Sequence, residues 1–354
     1  MAGIRRVVLL GLAWVGIVLL QTNVLQSVAR AQSEARAQSI AQPQIVPSVQ
    51  PENQSQPESL TPSTASSVPM KLIQVSPQAY YVEGVAALGS PFNRNFISNA
   101  GVIVAPEGVI VIDALGSPAL ADELIGLIRT VTDKSIKYVI VTHYHADHIY
   151  GLQSFISQGA TVIAHVNAKE YLGSDTAKLR LDASRQELAP WVNDQTRLVP
   201  AQTWVDEDVS LTLAGLDLQI FKMGPAHTID DIAIFVPSEG VLFAGDLVFR
   251  GRIPYVGNAD SLGWIQSLDK LITTRAKVIV PGHGPFSSQP LEDLQFTRDY
   301  LLFLRDVMGP PARELESFDE AYGKVDWSRY EKVPLFNAAN RMNAYNVYLT
   351  IQSE

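Results

Sequence analysis

The chain reads Thr142-His143-Tyr144-His145-Ala146-Asp147-His148 directly after a short apolar run, 138–141. It thus places four metal-capable side chains within six residues. Short apolar runs of this kind predict buried strands, and in layered α/β proteins the functional side chains collect at strand ends. Burying uncharged imidazoles beside a carboxylate costs free energy unless something coordinates them. The stretch therefore predicts a metal site, and a polar surface loop with chance histidines is the alternative.

Three further metal-capable residues follow other apolar runs in the same way. His227 stands in Gly-Pro-Ala-His, Asp246 in Phe-Ala-Gly-Asp and His283 in Pro-Gly-His-Gly. Five of the six histidines therefore fall beside small or turn-forming residues at predicted strand ends. His165 also ends a predicted strand but has no acidic residue nearby, so we predict a structural role for it.

Apolar runs and helical spacing alternate along most of the chain, which favours an α/β layered domain. The predicted strands are 102–105, 109–112, 138–142, 161–164, 216–221, 232–236, 241–243 and 278–280. The predicted helices are 119–130, 167–188, 261–273, 291–307 and a terminal helix, 343–351. We expect Pro310-Pro311 to end the fourth of these helices, because proline removes a backbone donor and its ring clashes with the preceding turn.

The composition of the 354 residues excludes several classes of function. There are 27 Lys plus Arg against 36 Asp plus Glu, a net charge of −9, and no basic run that would neutralise nucleic-acid phosphates. The chain has no Cys, so it forms no disulfide, thiolate zinc site, iron–sulfur cluster or cysteine nucleophile. Any metal site must be built from His and carboxylate side chains, and we expect the partner to be a small-molecule substrate.

The N-terminal part of the chain predicts export. Residues 1–31 are typical of a signal peptide: Arg5 and Arg6 precede a 14-residue apolar run, 7–20, and Ala29-Arg30-Ala31 supplies a cleavage pattern. That run is shorter than the roughly 20 residues of a membrane span, although an uncleaved anchor is the alternative. We expect a periplasmic or extracellular protein without a membrane span after cleavage.

The folded part is predicted to begin only after a second N-terminal segment. Residues 32–70 are rich in Ser, Gln and Pro and predict a disordered linker. The domain should then occupy residues 71–354, with a helical extension from about residue 310.

In its order of motifs the chain resembles the metallo-β-lactamase superfamily from about residue 71 to 307. The match is His-x-His-x-Asp-His, a lone His after Gly-Pro, Gly-Asp and Gly-His-Gly, in that order. The resemblance implies a four-layer αββα sandwich with metals at one edge between two sheets. It assigns the first metal to His143, His145 and His227, the second to Asp147, His148 and His283, and a bridging role to Asp246. Asp113 matches an aspartate that supports the metal loop in this family.

The predicted ligand set suits two zinc ions, although iron and manganese also accept imidazole with carboxylate. Two metals about 3.5–4 Å apart can share a hydroxide that is nucleophilic near neutral pH. In this scheme Asp147 also orients the hydroxide. His143 and His145 converge only if the loop bends sharply between Tyr144 and Ala146. The first hypothesis is therefore a dinuclear zinc-dependent hydrolase that cleaves an ester, thioester or similar acyl bond.

A β-lactamase is the second hypothesis. The segment 227–245 and the Gly257-Asn258 pair resemble β-lactamases of the commonest subclass, so Asn258 would stabilise the developing oxyanion, with a plain turn as the alternative. Those enzymes carry Cys at the position of Asp246 and a drug-binding Lys at that of Phe249, and they lack His148. Arg250 or Arg252 could replace the Lys, whereas a surface position is the ordinary expectation for arginine.

Other branches of the superfamily share the Asp246 and His148 pattern. It resembles glyoxalase II-like thioesterases, and the run 249–254 resembles exported zinc metallohydrolases associated with quinoprotein oxidation and sulfur oxidation. The third hypothesis is an iron-dependent sulfur dioxygenase or a non-catalytic binding protein. All seven ligand positions are filled, which favours a dinuclear enzyme over both.

Overall fold

The computed structural model describes residues 69–354. The predicted signal peptide, 1–31, and all but the last two residues of the predicted linker lie outside this range. Met70, placed by the sequence at the end of the linker, is 5% exposed and packs into the core. Met70 therefore packs as part of the described domain. No helix within the described residues is long and apolar enough to cross a membrane.

Two β-sheets form the centre of the domain. The first has seven strands in sequence order, antiparallel from β1 to β4 and parallel from β4 to β7. They are β1 Ile73–Gln74, β2 Ala79–Val82, β3 Ala100–Ala105, β4 Gly108–Ile112, β5 Ile136–Ile140, β6 Thr161–His165 and β7 Thr203–Val205. The second sheet has the order β12-β11-β10-β9-β8, and only β11 and β12 are parallel. Its strands are β8 Val209–Leu213, β9 Leu216–Lys222, β10 Ile232–Val236, β11 Val241–Phe249 and β12 Val278–His283.

Helices cover the outer faces of both sheets. Within the described residues they are α1 Pro118–Val131, α2 Ala146–Ile149, α3 Leu152–Ser157, α4 Ala168–Leu172, α5 Asp175–Glu187, α6 Ser261–Ile272, α7 Pro290–Arg313, α8 Phe318–Lys324 and α9 Phe336–Ser353. Local chemistry explains where they begin: Ser117 caps α1 by accepting from the Leu120 amide, with proline at the first helical position. Asp260 caps α6 in the same way.

Side-chain alternation along the buried strands divides the interior into layers. Val109 and Val111 of β4 pack with Leu124 of α1, whereas Ile110 packs with Phe243 of β11 between the sheets. Successive strand residues point to opposite faces, so a wholly apolar strand such as β4 fills two cores at once. A third core joins β11 to α6, α7 and α9. The result is the four-layer αββα sandwich implied by the sequence.

The structure contradicts the prediction that Pro310-Pro311 ends a helix, because α7 runs through the pair to Arg313. Gly309 precedes the pair and has no Cβ, which removes one of the clashes that disfavour helix before proline. The buried face of α7, which includes Leu301, Leu304 and Met308, continues across this point. Packing therefore outweighs two missing amide donors. The predicted terminal helix, 343–351, lies within the longer α9.

The core between the sheets should be essential for stability. Phe243 is 1% exposed in that core, so we expect Phe243→Ala to lower the free energy of unfolding by about 3–5 kcal/mol in urea denaturation. Phe92→Ala is the matched control, because Phe92 is 75% exposed and its truncation should change stability by less than about 0.5 kcal/mol. Equal losses in the two variants would contradict this account of the core.

Candidate metal centre

Four segments bring the seven predicted ligands to one edge of the sandwich. His143 and His145 lie in the loop after β5, and Asp147 and His148 lie in the short helix α2. The other three come from the second sheet: His227 from the loop between β9 and β10, Asp246 from β11 and His283 from the end of β12. The loop bends as expected, since His145 is extended and α2 begins at the next residue.

The seven side chains form two groups that could each hold a metal ion. In each group, one ligand atom per residue lies within 4.8 Å of all the others. The first group is His143, His145, His227 and Asp246, and the second is Asp147, His148 and His283. In the first, His227 Nε2 lies 3.1 Å from His145 Nδ1, and in the second His283 Nε2 lies 3.4 Å from Asp147 Oδ2.

Asp246 lies between the two groups. Its Oδ2 is 3.4 Å from His227 Nε2 in the first group and 3.2 Å from His283 Nε2 in the second, and its Oδ1 is 3.2 Å from His148 Nε2. The sequence placed Asp246 just after a strand ending at Phe243, but β11 continues to Phe249 and contains it. Asp246 thus lies in the strand itself and close to histidines of both groups, and its bridging role stays a prediction.

Two glycines make this position of Asp246 possible. The register of β11 against β12 shifts on both sides of Gly245, which has a φ of +53°. A Cβ at Gly245 would also lie 2.7 Å from the Cβ of Thr142, and one at Gly282 would lie 2.0 Å from Asp246 Oδ1. Only glycine fits either position without displacing the loop after β5 or the carboxylate.

The donor atoms at this centre fit metal ions. His143 Nε2, His148 Nε2 and Asp246 Oδ1 are buried, and each lacks a hydrogen bond. Leaving several buried polar atoms unpaired is costly, so three such atoms in one place indicate that something else satisfies them. Imidazole nitrogens and carboxylate oxygens, with no thiolate, are ligands for zinc, iron or manganese.

The protonation states of two of the histidines agree with this fit. Burial, with a smaller effect of the His148 charge, lowers the pKa of His143 well below its ordinary value, and burial lowers that of His227 to about 3. Both imidazoles are therefore neutral, the form that binds metal. Burial would raise the pKa of Asp246, but the charges of His283 and His148 outweigh it and hold the carboxyl ionised.

Asp113 holds the first-sheet part of the centre in place. Its Oδ1 accepts from the Thr142 amide at 2.7 Å, and its Oδ2 accepts from Thr142 Oγ1 at 2.8 Å. The same Oδ2 lies 2.9 Å from His148 Nδ1. A carboxylate at Nδ1 keeps the proton there and leaves Nε2 free as the ligand atom. Asp113 has a φ of +63°, a left-handed conformation that aspartate tolerates better than most residues.

Sequence reasoning missed two other acidic residues near the centre. Asp230 Oδ2 accepts from the Tyr144 amide, and burial raises the pKa of this carboxyl to about 6. Asp231 accepts from the amide and hydroxyl of Thr228, next to His227. The sequence does contain one signal for them. Two adjacent acids stand directly before the apolar run of β10, and carboxylates at such a buried position are unfavourable unless they accept hydrogen bonds.

A polar segment before β3, also missed, holds the loop of His283. His283 Nδ1 lies 2.7 Å from the Ile97 carbonyl oxygen, Ser98 Oγ donates to the Asp147 carbonyl at 2.5 Å, and Asn99 Nδ2 donates to the Pro281 and Gly284 carbonyls. Nothing in the sequence pairs this segment with one almost two hundred residues away.

The remaining predicted residues, His165 and Asn258, are not members of the metal-capable groups. His165 is buried at the end of β6, belongs to neither group and accepts from the Asn167 amide at Nδ1. Asn258 is exposed in a turn with Gly257, whose φ is +49°. This geometry explains the residue pair as a turn, and the oxyanion role of Asn258 stays a prediction.

The two arginines after β11 differ sharply. Arg250 Nε pairs with Asp293 at 2.8 Å. Arg252 is only 5% exposed, contrary to the expected surface position, and its Cζ lies 5.6 Å from the centre of the Phe249 ring. That ring stacks on His283 at 5.0 Å. In the described part of the chain Arg252 forms no salt bridge, and its Nε donates weakly to the Ile253 carbonyl at 3.4 Å.

Comparison with known proteins identifies the family. The model of the metallo-beta-lactamase superfamily matches residues 93–283, which include all seven metal-capable residues. The chain belongs to the metallo-beta-lactamase superfamily. The matched range ends at the last residue of β12, so the helices α7 to α9 of this superfamily member lie beyond it.

Relatives of this superfamily member differ in their named activities. The chain is 28% identical over 241 residues to a linear primary-alkylsulfatase of Pseudomonas sp., covering 58% of this chain and 45% of that one, which is less than half of its length. It is 24% identical over 199 residues to the metallo-beta-lactamase type 2 of Bacteroides fragilis, covering 55% and 72%. The solved sec-alkylsulfatase of Pseudomonas sp. has the same fold, with a TM-score of 0.63 at 18% identity over 79% of this chain and 50% of that one.

The contact between Asp113 and His148 should control metal affinity. In Asp113→Asn, one carboxylate oxygen is replaced by an NH2 group, which donates and cannot accept. If this group faces His148 Nδ1, it favours the His148 tautomer that is protonated at Nε2. If it faces the Thr142 amide instead, two donors oppose each other there. We expect zinc affinity to fall about 10–100-fold in a chelator competition assay.

His165→Ala is the control for this measurement, because His165 is a buried histidine outside both groups. Its zinc affinity should equal that of the unaltered protein. A large loss of affinity in His165→Ala, or none in Asp113→Asn, would contradict the assignment.

Proposed function

We propose that the chain is a dinuclear zinc-dependent hydrolase that cleaves an ester bond in an anionic small molecule. The observation that carries the proposal is the position of Asp246 between two complete groups of metal-capable side chains. A mononuclear enzyme would need only one group of metal-capable side chains, and a non-catalytic binding protein would not need two. The presence of both groups therefore favours a dinuclear enzyme. Zinc is the first candidate on ligand chemistry, with iron and manganese as alternatives.

The residues of the chain have separable roles in this proposal. When bound, a pair of divalent ions supplies an activated water and polarises the bond that is cut. The side chain of Asp147 is 17% exposed and that of Asp246 only 4%, so Asp147 is the carboxylate that reaches water. Burial would raise the pKa of Asp147, but His148 and His283 lower it below its ordinary value. Asp147 is therefore ionised, and Oδ2 can accept a hydrogen bond from the attacking water.

The burial of Arg252 is the reason for proposing an anionic substrate. A buried guanidinium without an acidic partner is costly, and burial lowers its pKa, while the charges of Asp246 and Asp147 act in the opposite direction. Those carboxylates are committed to the metal-capable groups. An anionic group on the substrate would supply the missing partner through two parallel hydrogen bonds. Arg250 is unsuited to this role, since Asp293 already pairs with it.

A sulfate ester is the first candidate for that substrate. It combines a fixed negative charge with the bond to be cut, and the likeness to a named linear primary-alkylsulfatase supports it. Carboxylate-bearing esters and thioesters are the competing class. The β-lactamase relatives favour a second candidate, but Asp246 and Phe249 replace the cysteine and lysine expected of that subclass.

We also propose that the protein is exported, to the periplasm or outside the cell. Its support is the pattern of residues 1–31, in which an arginine pair, an apolar run and Ala29-Arg30-Ala31 follow one another. Residues 32–68 would then act as a linker to the domain.

The first test combines metal content with a substrate panel. We expect about two metal ions per chain by elemental analysis, and measurable hydrolysis of a primary alkyl sulfate or a small ester or thioester. Asp246→Ala and Asp147→Asn should abolish turnover with the fold retained, since each removes a carboxylate from the centre. A cephalosporin should react weakly or not at all. A cephalosporin kcat/KM of about 10⁴ M⁻¹s⁻¹ or more, with no ester cleavage, would overturn the ranking.

The second test concerns Arg252. Arg252→Ala should raise KM for a sulfate ester about 30-fold, because loss of a desolvated charge partner costs at least about 2 kcal/mol. The same variant should leave KM for a neutral carboxylic ester within about threefold. Arg250→Ala is the matched control and should behave like the unaltered protein on both substrates. Equal effects on charged and neutral substrates would disprove an anion-binding role for Arg252.

A further inference from the structure

The segment 251–258 carries the side chains that border the metal centre on one side. Arg252 lies over Phe249, whose ring stacks on His283. The Tyr255 ring lies 6.4 Å from that of His227, and its side chain is partly exposed. The segment forms neither helix nor strand, so no ladder of backbone hydrogen bonds fixes its conformation.

Backbone groups of this segment bond instead to the C-terminal helical region. Val256 N donates to Asn343 Oδ1 at 2.9 Å, and Asn343 Nδ2 donates to the Pro254 carbonyl at 2.7 Å. Ile253 N donates to the Pro334 carbonyl, just before α9. One side-chain amide thus satisfies both a donor and an acceptor within three residues of the segment, and only one orientation of that amide does so.

Asn343 is itself held by a buried polar chain. It is 0% exposed, and its Nδ2 also donates to Tyr300 Oη at 2.9 Å. Tyr300 Oη donates to Asn340 Oδ1, and Asn340 Nδ2 donates to Tyr322 Oη. The network links α7, α8 and α9, and only Asn343 extends from it to the segment.

We propose that Asn343 is a positioning residue, through which the C-terminal helices hold the segment 251–258 against the metal centre and set the place of Arg252. The proposal rests on the anion-binding role of Arg252 given above. A buried amide cannot be replaced by an apolar side chain without leaving the Val256 N–H and the Pro254 carbonyl unpaired, so the segment would move to reach water. Substrate binding would weaken while the metal ligands, which lie on other elements, stay in place.

Asn340 offers a matched control. It is equally buried, lies one turn earlier on the same helix and shares the Tyr300 hydroxyl, but its side chain bonds Tyr300 and Tyr322 rather than the segment. Asn343→Leu and Asn340→Leu should therefore lose similar stability. Asn343→Ser, which keeps a hydroxyl but cannot span both backbone partners, replaces Asn343→Leu if the latter does not fold.

The experiment measures amide hydrogen exchange and steady-state kinetics on the metal-loaded full chain. In the Asn343 variant we expect exchange in the segment 251–258 to rise about tenfold or more relative to Asn340→Leu. KM for a sulfate ester should rise about tenfold with kcat changed less than about threefold and metal content unchanged. Equal exchange and equal KM in the two variants would overturn the proposal. If the unaltered protein cleaves no ester, the proposed function fails, and the exchange result still decides the role of Asn343.

Discussion

The carboxylate of Asp113 is the contact on which the metal centre depends. It binds the backbone and hydroxyl of Thr142 where the chain leaves β5, and it fixes the tautomer of His148. Without it, the amide and hydroxyl of Thr142 and the His148 imidazole would lose the acceptor that they share. The loop then places three histidines near Asp246 of the second sheet, so the Asp113 carboxylate, just after β4, contributes to the way the two sheets share a site.

The sequence predicted the fold and the grouping of the metal-capable residues because both depend on local patterns. Short apolar runs such as Val109–Ile112 encode buried strands, and the residues that follow them must meet at one sheet edge. Recognition of the motif order added the division into two groups, which spacing alone did not give. The predicted C-terminal end of α7 was wrong, because tertiary packing outweighs the local effect of two prolines.

The sequence could not predict contacts made across long separations. Arg252 is buried with its guanidinium over the Phe249 ring, and no periodicity of the sequence signals that burial. The contacts of Asn343 could not be predicted, because its partners include backbone atoms of an irregular segment far away in the sequence. Asp230 and Asp231 also accept hydrogen bonds from backbone amides of the loops that carry the predicted ligands, and the sequence analysis did not predict these contacts. The contacts of such residues are formed only in the folded structure, and no local pattern of the sequence predicts them.

The spread of the metal-capable residues between His143 and His283 has a consequence for how the protein folds. A complete site requires both sheets to be formed and docked, so its closure is a late, long-range event. Metal binding would therefore follow the docking of the sheets, and it would stabilise the native state over the unfolded chain. Interactions absent from the transition state mainly slow unfolding. In this chain, bound metals would therefore increase kinetic stability by slowing the unfolding of the folded αββα domain.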